Sequence, residues 1–301
     1  MNVAEKQDQI RGQLKEKKGV LLAHYYQRGE VQDVADFVGD SLALSIEAAR
    51  TDAEVIVFAG VHFMAESASI LSPEKTVLLP RLEAGCPLAD TITPAELEKA
   101  RAEHPGCRVV TYVNSSAAVK ALSDICCTSA NAVKVVNSLA GEKILMVPDG
   151  NLARYTARFT KKEVIPWEGY CPVHHFLTAE EVKEVMREHP GARLAVHPEC
   201  RAEVIDMADF VGSTAGIIRY ARETEAREVV IGTEVGVLHP LRKESPEKTF
   251  IMASEKMVCE TMKSITLEDI LSSLREMKHV VKVAEDTRVP AFRALDRMLK
   301  L

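Results

Sequence analysis

ADFVG stands at residues 35–39 of the chain and again, letter for letter, at residues 208–212. A related stretch, SDICCTS, lies between them at residues 123–129. The aspartates of the three stretches lie 88 and 85 residues apart, at Asp36, Asp124 and Asp209. A stretch that recurs at a near-constant interval is typical of a chain built from repeated units. The spacing therefore predicts three copies of one unit.

Each copy has the same order of apolar and polar segments. It opens with an apolar run that ends in a polar triplet, in VLLAHYYQ (20–27), RVVTYVNS (108–115) and RLAVHPEC (193–200). Two further apolar runs follow in each copy, at 53–60 and 75–80, at 142–149 and 162–167, and at 227–234 and 248–253. Short apolar runs that alternate with helical patterns predict βα units and parallel sheets covered on both faces.

The sequence thus predicts an α/β protein of three repeated three-layer domains, in a pseudo-threefold arrangement. Units of this size are marginally stable alone, so we expect them to pack on one another. The expected segments are an N-terminal helix (1–20), repeat 1 (21–104), repeat 2 (105–190), repeat 3 (191–263) and a C-terminal helical segment (264–301).

Composition and charge exclude several classes of protein. The chain is 47% hydrophobic and 27% charged, and its net charge of −6 argues against a nucleic-acid-binding surface. No stretch approaches the roughly 18 apolar residues of a membrane span, and the N-terminus lacks the apolar region of a signal peptide. Seven cysteines without an export signal argue against a disulfide framework. We therefore expect a cytoplasmic protein without nucleic-acid or membrane partners.

Three of the cysteines occupy matching positions after the last strand of each copy. They are 85 and 88 residues apart, at Cys86, Cys171 and Cys259. A structural zinc site normally uses paired ligands such as C-x-x-C, which the chain lacks, and a [4Fe–4S] cluster ordinarily has four thiolates. Three thiolates would leave one iron open to a substrate oxygen. The other cysteines have no counterparts and are expected to be buried apolar residues: Cys107, Cys126, Cys127 and Cys200.

Hydroxyl residues also recur, after the ADFVG-type strand of each copy. They are Ser41, Ser129, and the pair Ser213 and Thr214. Each is expected to begin a helix, where a capping hydroxyl, free N–H groups and the helix dipole favour anions. Three such helix starts facing one cavity would bind carboxylates or phosphate. The chain has no P-loop or G-x-G-x-x-G element, which argues against a nucleotide ligand.

The polar triplets supply a third matching set. Ligands of parallel sheets bind at the carboxyl ends of the strands, so these side chains should converge near the three cysteines. The set is His24, Tyr26, Tyr112, Asn114, His197 and Glu199. His174, three residues after Cys171, is expected to reach the same cavity.

At these residues the chain resembles the quinolinate synthase family, iron–sulfur enzymes of NAD biosynthesis. The resemblance covers nearly the whole chain, in AHYYQRGEVQDVADFVGDS (23–41), GVHFMAESASILSPEK (60–75), VTYVNSSAAVKALSDICCTSANAV (110–133), PDGNLARY (148–155) and VHPEC (196–200). It implies a [4Fe–4S] cluster at the centre of the three domains, with Cys86, Cys171 and Cys259 as its ligands and one open iron.

The resemblance also implies the reaction. Iminoaspartate (iminosuccinate) would condense with dihydroxyacetone phosphate to give quinolinate, phosphate and two waters, and the enzyme would be coupled functionally to one that produces iminoaspartate. Such a reaction needs anion sites and acid/base groups within hydrogen-bond reach. Tyr26 and Glu199 are the first acid/base candidates, and His24 and His197 would hold substrate oxygens or relay protons.

Three other functions remain open from the residues alone. The nearest is another hydro-lyase that uses an open-iron cluster on a small hydroxy acid. A non-catalytic iron–sulfur sensor would ordinarily carry a basic nucleic-acid surface, which the net charge of −6 disfavours. A zinc-binding structural protein is the third.

Overall fold

The computed structural model describes residues 1–301, and its strands form three separate four-stranded sheets. The strands of the first sheet are β1 (Gly19–His24), β2 (Phe37–Gly39), β3 (Val55–Ala59) and β4 (Thr76–Leu78). Those of the second are β5 (Arg108–Tyr112), β6 (Ile125–Cys127), β7 (Lys143–Val147) and β8 (Glu163–Pro166). Those of the third are β9 (Arg193–Val196), β10 (Phe210–Val211), β11 (Glu228–Gly232) and β12 (Thr249–Met252).

The three sheets have one topology. Their strand orders are β2-β1-β3-β4, β6-β5-β7-β8 and β10-β9-β11-β12, and every pair is parallel. Even the register is shared, since Leu22 pairs with Phe37, Val110 with Ile125 and Ala195 with Phe210. The predicted fold class, three repeated α/β units with parallel sheets, is confirmed.

The recurring aspartate has a structural role in each sheet. Its carboxylate accepts a hydrogen bond of 2.8 Å from the backbone N–H of the neighbouring central strand. The pairs are Leu21 with Asp36, Val109 with Asp124, and Leu194 with Asp209. This bond fixes the start of the edge strand beside the central strand. The aspartate that recurs in the sequence therefore makes the same backbone contact in each of the three repeats.

Helices flank the sheets, and strands such as β3 are buried along their whole length. The helices of repeat 1 with the N-terminal helix are α1 (Val3–Glu16), α2 (Gly29–Gln32), α3 (Ser41–Arg50), α4 (His62–Leu71) and α5 (Pro94–Glu103). Next come α6 (Ala117–Ala121), α7 (Ala132–Ser138), α8 (Gly150–Ala157), α9 (Pro172–His175) and α10 (Ala179–Glu188). The remainder are α11 (Ala202–Ile205), α12 (Thr214–Glu223), α13 (Leu238–Glu244), α14 (Glu260–Lys263), α15 (Leu267–Glu276) and α16 (Glu285–Leu299). None of these helices is both long and apolar enough to cross a membrane.

The chain ends tie the repeats together. Helix α1 packs on α15, while α16 packs on α4 of the first repeat and on α6 and β6 of the second. One hydrophobic core consequently runs through the first two repeats and the tail, and three smaller cores lie mainly in the second and third repeats. The exact domain boundaries stay a prediction, and β1 begins at Gly19, just before the expected start at residue 21.

Candidate functional site

The carboxyl ends of β1, β5 and β9 face one cavity of about 60 Å³, which we call the inner cavity. Its wall contains all six strand-end side chains that the triplets supply, together with His174. The hydroxyl residues Ser41, Ser129 and Thr214 and the three matching cysteines also line it. Residues far apart in sequence therefore meet here, because each repeat turns the same end of its sheet toward a common centre.

Ser213 is the one predicted site residue that does not line the inner cavity. It lies in an adjoining cavity of about 520 Å³, and its hydroxyl accepts a hydrogen bond from the N–H of Gly216 as the N-cap of α12. Ser213 therefore caps a helix in the way expected of the hydroxyl series as a whole.

The expectation that each hydroxyl residue begins a helix is wrong for Ser129, whereas Ser41 begins its helix without capping it. Asp40 caps α3 by accepting a hydrogen bond from Ala43, which makes Ser41 the first helical residue. Helix α7 begins only at Ala132, so Ser129 lies in the turn before it. An N-cap needs an acceptor and an extended backbone, and at Asp40 the carboxylate supplies that acceptor.

Cys86, Cys171 and Cys259 lie at the boundary between the inner cavity and a second, mostly apolar cavity of about 560 Å³. All three are free and half-buried. Cys171 and Cys259 directly precede the short helices α9 and α14. The four unmatched cysteines line neither cavity, and Cys126, Cys127 and Cys200 are fully buried.

The spacing of the three sulfurs suits a group larger than one ion. The one set of ligand-type side chains whose donor atoms all lie within 4.8 Å of one another is Cys171, His174 and Glu199, so the three sulfurs spread wider than that. A single tetrahedral zinc, with zinc–sulfur bonds of about 2.3 Å, needs sulfurs about 3.8 Å apart. At least one pair of the three sulfurs is therefore further apart than a single tetrahedral zinc requires, which favours a polynuclear thiolate-bound cluster.

Burial raises the pKa of the Cys86 thiol to about 12. Burial, with the negative charge of Glu199 and the other two sulfurs, also raises the pKa of Cys171 well above its ordinary value. Thiols with a pKa this high stay protonated until a metal ion replaces the proton. Metal uptake at these cysteines must therefore release protons.

Glu199 is the centre of a buried hydrogen-bonded group. Its Oε2 lies 2.6 Å from Nδ1 of His174 and 3.4 Å from Nδ1 of His197, and the two imidazole rings stack with centroids 4.5 Å apart. The 2.6 Å separation is a hydrogen bond. Two ligands about 2.0–2.1 Å from a tetrahedral ion would stand roughly 3.3 Å apart, so Cys171, His174 and Glu199 are closed to an ion between them as they stand.

Tyr26 reaches from the first repeat into the third. Its hydroxyl lies 2.9 Å from Oγ1 of Thr214 and 2.7 Å from Oγ1 of Thr233, and Thr233 is also 3.0 Å from Nε2 of His174. Because a carboxylate only accepts, His174 must donate from Nδ1 to Glu199 and, when neutral, accept at Nε2 from Thr233. Thr233 in turn accepts from Tyr26, so the four groups form one directed chain.

The ionisation of these groups follows from their burial. Burial lowers the pKa of both His24 and His197 to about 3, so both are neutral at neutral pH. Burial alone would raise the pKa of Glu199, but His197 and His174 beside it lower this pKa to about 2. Burial raises the pKa of Tyr26 well above its ordinary value, so its proton is present at rest.

Two acceptors in the wall of the inner cavity have no partner in the protein, namely Asn114 Oδ1 and Glu199 Oε1. A buried acceptor left unpaired costs free energy, so a ligand that offers N–H or O–H groups is favoured here. No lysine or arginine lines the cavity. Anionic ligand groups must therefore be held by neutral donors, chiefly hydroxyls, imidazoles and backbone N–H groups.

Three residues near the site were not predicted from the sequence. Thr233 joins Tyr26 to His174, as described above. Asp149 and Glu234 accept hydrogen bonds from the backbone N–H groups of Cys171 and Cys259, respectively. A signal was present for the last two, since they lie 85 residues apart at matching places after the third strand of their copies.

Comparison with known proteins finds similar sequences that cover nearly the whole chain. The family model described as "Quinolinate synthetase A protein" matches residues 8–300. The quinolinate synthase of Geotalea uraniireducens is 60% identical over 299 residues, which is 98% of this chain and 98% of that protein. The quinolinate synthase of a Geobacter species (strain M21) is 58% identical over 97% of this chain and 96% of its own length. Quinolinate synthase 1 of Methanosarcina acetivorans is 57% identical over 94% and 93%, respectively.

Proposed function

The chain belongs to the quinolinate synthase family, and on that premise we propose how its residues carry out the reaction. It is an enzyme of NAD biosynthesis that acts on small molecules, and iron–sulfur dependence is a general property of its family. We propose the two substrates, the ligands of the cluster and the part that each side chain plays.

We propose that the substrates are iminoaspartate and dihydroxyacetone phosphate. Their union with loss of phosphate and two waters accounts for every atom of quinolinate. The observation that carries this proposal is the wall of the inner cavity, where six polar strand-end groups meet three thiols. The unpaired oxygens of Asn114 and Glu199 suit the N–H and O–H groups that these substrates offer.

The anionic ends of the substrates are assigned to the hydroxyl residues. Ser41 and Thr214 are the first residues of α3 and α12, where free N–H groups and the helix dipole favour negative charge. Ser129 adds a hydroxyl that lies 3.1 Å from Nε2 of His197. These neutral donors take the place of the lysines and arginines that the cavity lacks. Tyr112 and Asn114 contact the same ligands from the second repeat.

Proton transfer is assigned to the chain of groups around Tyr26 and Glu199. Glu199 is ionised and accepts protons, while Tyr26 holds its proton and can donate it. Once Tyr26 has given its proton to a substrate, a proton taken up at Glu199 can return to Tyr26 along the hydrogen bonds through His174 and Thr233. His24 and His197 are neutral, so each can donate to or accept from a substrate oxygen.

Cys86, Cys171 and Cys259 are proposed as the ligands of a [4Fe–4S] cluster. Their place between the inner cavity and the apolar cavity, and the wide spread of their sulfurs, support this assignment. With three thiolate ligands, such a cluster supplies one iron with a free coordination position, a Lewis acid for a substrate oxygen.

Supply of iminoaspartate is proposed to come from a functionally coupled enzyme, because an imine hydrolyses in water. We also propose that the protein works in the cytoplasm. All seven cysteines are free thiols, as expected where a reducing environment prevents disulfide formation.

The experiment that tests this function is anaerobic purification followed by iron and sulfide counting and a quinolinate assay. The expected result is a brown protein with about four irons per chain, as for one [4Fe–4S] cluster. Quinolinate should form only when both substrates are present. A colourless protein with one zinc per chain, or quinolinate formed without the triose phosphate, would overturn the proposal.

Replacing Ser129 by alanine should mainly weaken substrate binding. A hydrogen bond to a charged group contributes about 1.5–3 kcal/mol, so the apparent substrate constant should rise roughly 10- to 150-fold. Ser138→Ala is a suitable control because its hydroxyl bonds to the carbonyl of Val135 within α7, away from the cavity. Steady-state kinetics with each substrate varied in turn gives the answer. Equal constants for the Ser129 and Ser138 variants would remove Ser129 from the anion site.

A further inference from the structure

The three cysteine loops begin from one shared anchor. The residue at the start of the segment after the third strand donates its backbone N–H to the carbonyl two residues before the cysteine. The three bonds are His62 to Ala84 at 2.8 Å, Gly150 to Gly169 at 2.8 Å and Val235 to Met257 at 2.9 Å. These positions keep the repeat spacing of 88 and 85 residues, so the backbone holds all three loops in the same way.

The residue just before each anchor differs between the repeats. It is Val61 in the first, Asp149 in the second and Glu234 in the third. Asp149 and Glu234 are acids with 1% and 0% of their surface exposed. An ionisable side chain that is buried to this degree is rare in proteins unless it is paired, so its partners reveal its role.

Each acid binds the backbone of a cysteine. Asp149 Oδ2 accepts from the N–H of Cys171 at 3.2 Å, and Glu234 Oε1 accepts from the N–H of Cys259 at 3.1 Å. The second oxygen of each carboxylate is fixed too. Asp149 Oδ1 accepts from Leu152 at 2.7 Å, and Glu234 Oε2 accepts from Gly236 at 2.7 Å. Both carboxylates are therefore held at two points before any ligand binds.

The first repeat lacks this bond. The side chain of Val61 has no hydrogen-bond acceptor, and the backbone N–H of Cys86 makes no hydrogen bond within the protein. Lys263 adds to the difference, since its ammonium pairs with Glu234 at 2.8 Å and also bonds to the carbonyl of Tyr26. The loop of Cys259 is thus linked to the strand end that carries Tyr26, whereas the loop of Cys86 has no buried carboxylate that accepts from the N–H of its cysteine.

We propose that Asp149 and Glu234 are positioning residues that hold Cys171 and Cys259 ready to ligate the cluster. This inference rests on the proposed function, because it presupposes that the three cysteines are cluster ligands. Groups that orient metal ligands from behind typically contribute about 10- to 100-fold in metal affinity or activity. The backbones of two of the three cysteines are held in this way, whereas the N–H of Cys86 has no such acceptor.

The test compares iron release from the reconstituted holoprotein under anaerobic conditions, with an iron chelator in excess. Asp149→Ser keeps an N-cap acceptor for the N–H of Leu152 but is too short to bond Cys171. Glu234→Gln keeps the size of the side chain but offers one acceptor oxygen in place of two. Both variants should release iron about 10- to 100-fold faster than the wild type. The electron paramagnetic resonance spectrum of the reduced cluster should also change.

The matched control is Asp209→Asn, which weakens an equivalent carboxylate-to-backbone bond, to Leu194, at a residue that lines neither of the two cavities at the three matching cysteines. It should release iron at the wild-type rate, and thermal unfolding of all apoproteins shows whether folding is affected. If wild-type protein takes up no cluster, the proposed function fails and this inference fails with it. If the wild type holds a cluster and both Asp149→Ser and Glu234→Gln release iron as slowly as it does, with an unchanged spectrum, the inference alone is wrong.

Discussion

Replacing Cys86 by alanine should leave the protein without its cluster and reduce quinolinate synthesis to the level of a blank. Two thiolates cannot hold a [4Fe–4S] cluster that already lacks its fourth protein ligand. Cys86 gives the cleanest result, because Cys171 has donor atoms of His174 and Glu199 within 4.8 Å that could act as substitute ligands. Cys171→Ala and Cys259→Ala should have the same outcome. Iron per chain after anaerobic reconstitution and the visible spectrum are the measurements.

Two controls make this prediction specific. Cys107 is half-buried like the three proposed ligands but lies outside both cavities, so Cys107→Ala should retain iron and activity. Cys200 is fully buried, and Cys200→Ala tests whether a lost core thiol affects the cluster through stability. Iron loss in either control as complete as in Cys86→Ala would contradict the assignment of ligands by repeat position.

Turnover should fall by about 10²–10⁴-fold in both Tyr26→Phe and Glu199→Gln while the cluster stays intact. Phenylalanine removes the hydroxyl that contacts Thr214 and Thr233, and glutamine cannot act as a proton acceptor from His174. Both changes keep the shape of the side chain, so the loss should appear in turnover with normal iron content. Single-turnover rates and iron analysis on the same preparations give this answer.

Asn114→Ala is expected to behave differently from these two variants. An amide positions substrate but does not exchange protons at neutral pH, so the apparent substrate constant should rise more than turnover falls.

The matched control for Tyr26→Phe is Tyr25→Phe, because Tyr25 is adjacent to Tyr26 in the chain but does not line the inner cavity. Wild-type turnover in both Tyr26→Phe and Glu199→Gln would transfer the acid/base role to His24, His197, His174 or bound water.

The spacing of matching residues was enough to predict the three sheets and the set of side chains that meets at their centre. The reason is physical: residues at equivalent places in repeated units take equivalent positions, so the triplet ends and the three cysteines had to converge once the units packed around one axis. Ser41, Ser129 and Thr214 reached the cavity for the same reason, although Ser129 does not begin a helix and Ser41 does not cap the one that it begins.

What spacing could not predict are contacts between different repeats. The bond from Tyr26 to Thr233 joins the first repeat to the third, and that from His174 to Thr233 joins the second to the third. Such contacts depend on how whole units are oriented, and no local pattern encodes that orientation. Asp149 and Glu234 were missed for another reason, since the same position in the first repeat is Val61 and the match is broken.

The aspartates that clamp the edge strands are the same residue in every repeat, whereas the strand-end positions that face the cavity all differ in at least one copy. His24 and His197 match one another but Tyr112 does not, and Tyr26, Asn114 and Glu199 are three different residues. Because the same backbone geometry recurs in all three repeats, the same aspartate contact stabilises each of them. Quinolinate has no threefold axis. A cavity with three identical walls would therefore bind it in three equivalent orientations and favour none of them. The departures from symmetry in this protein are therefore the part of the sequence that carries information about the molecule it makes.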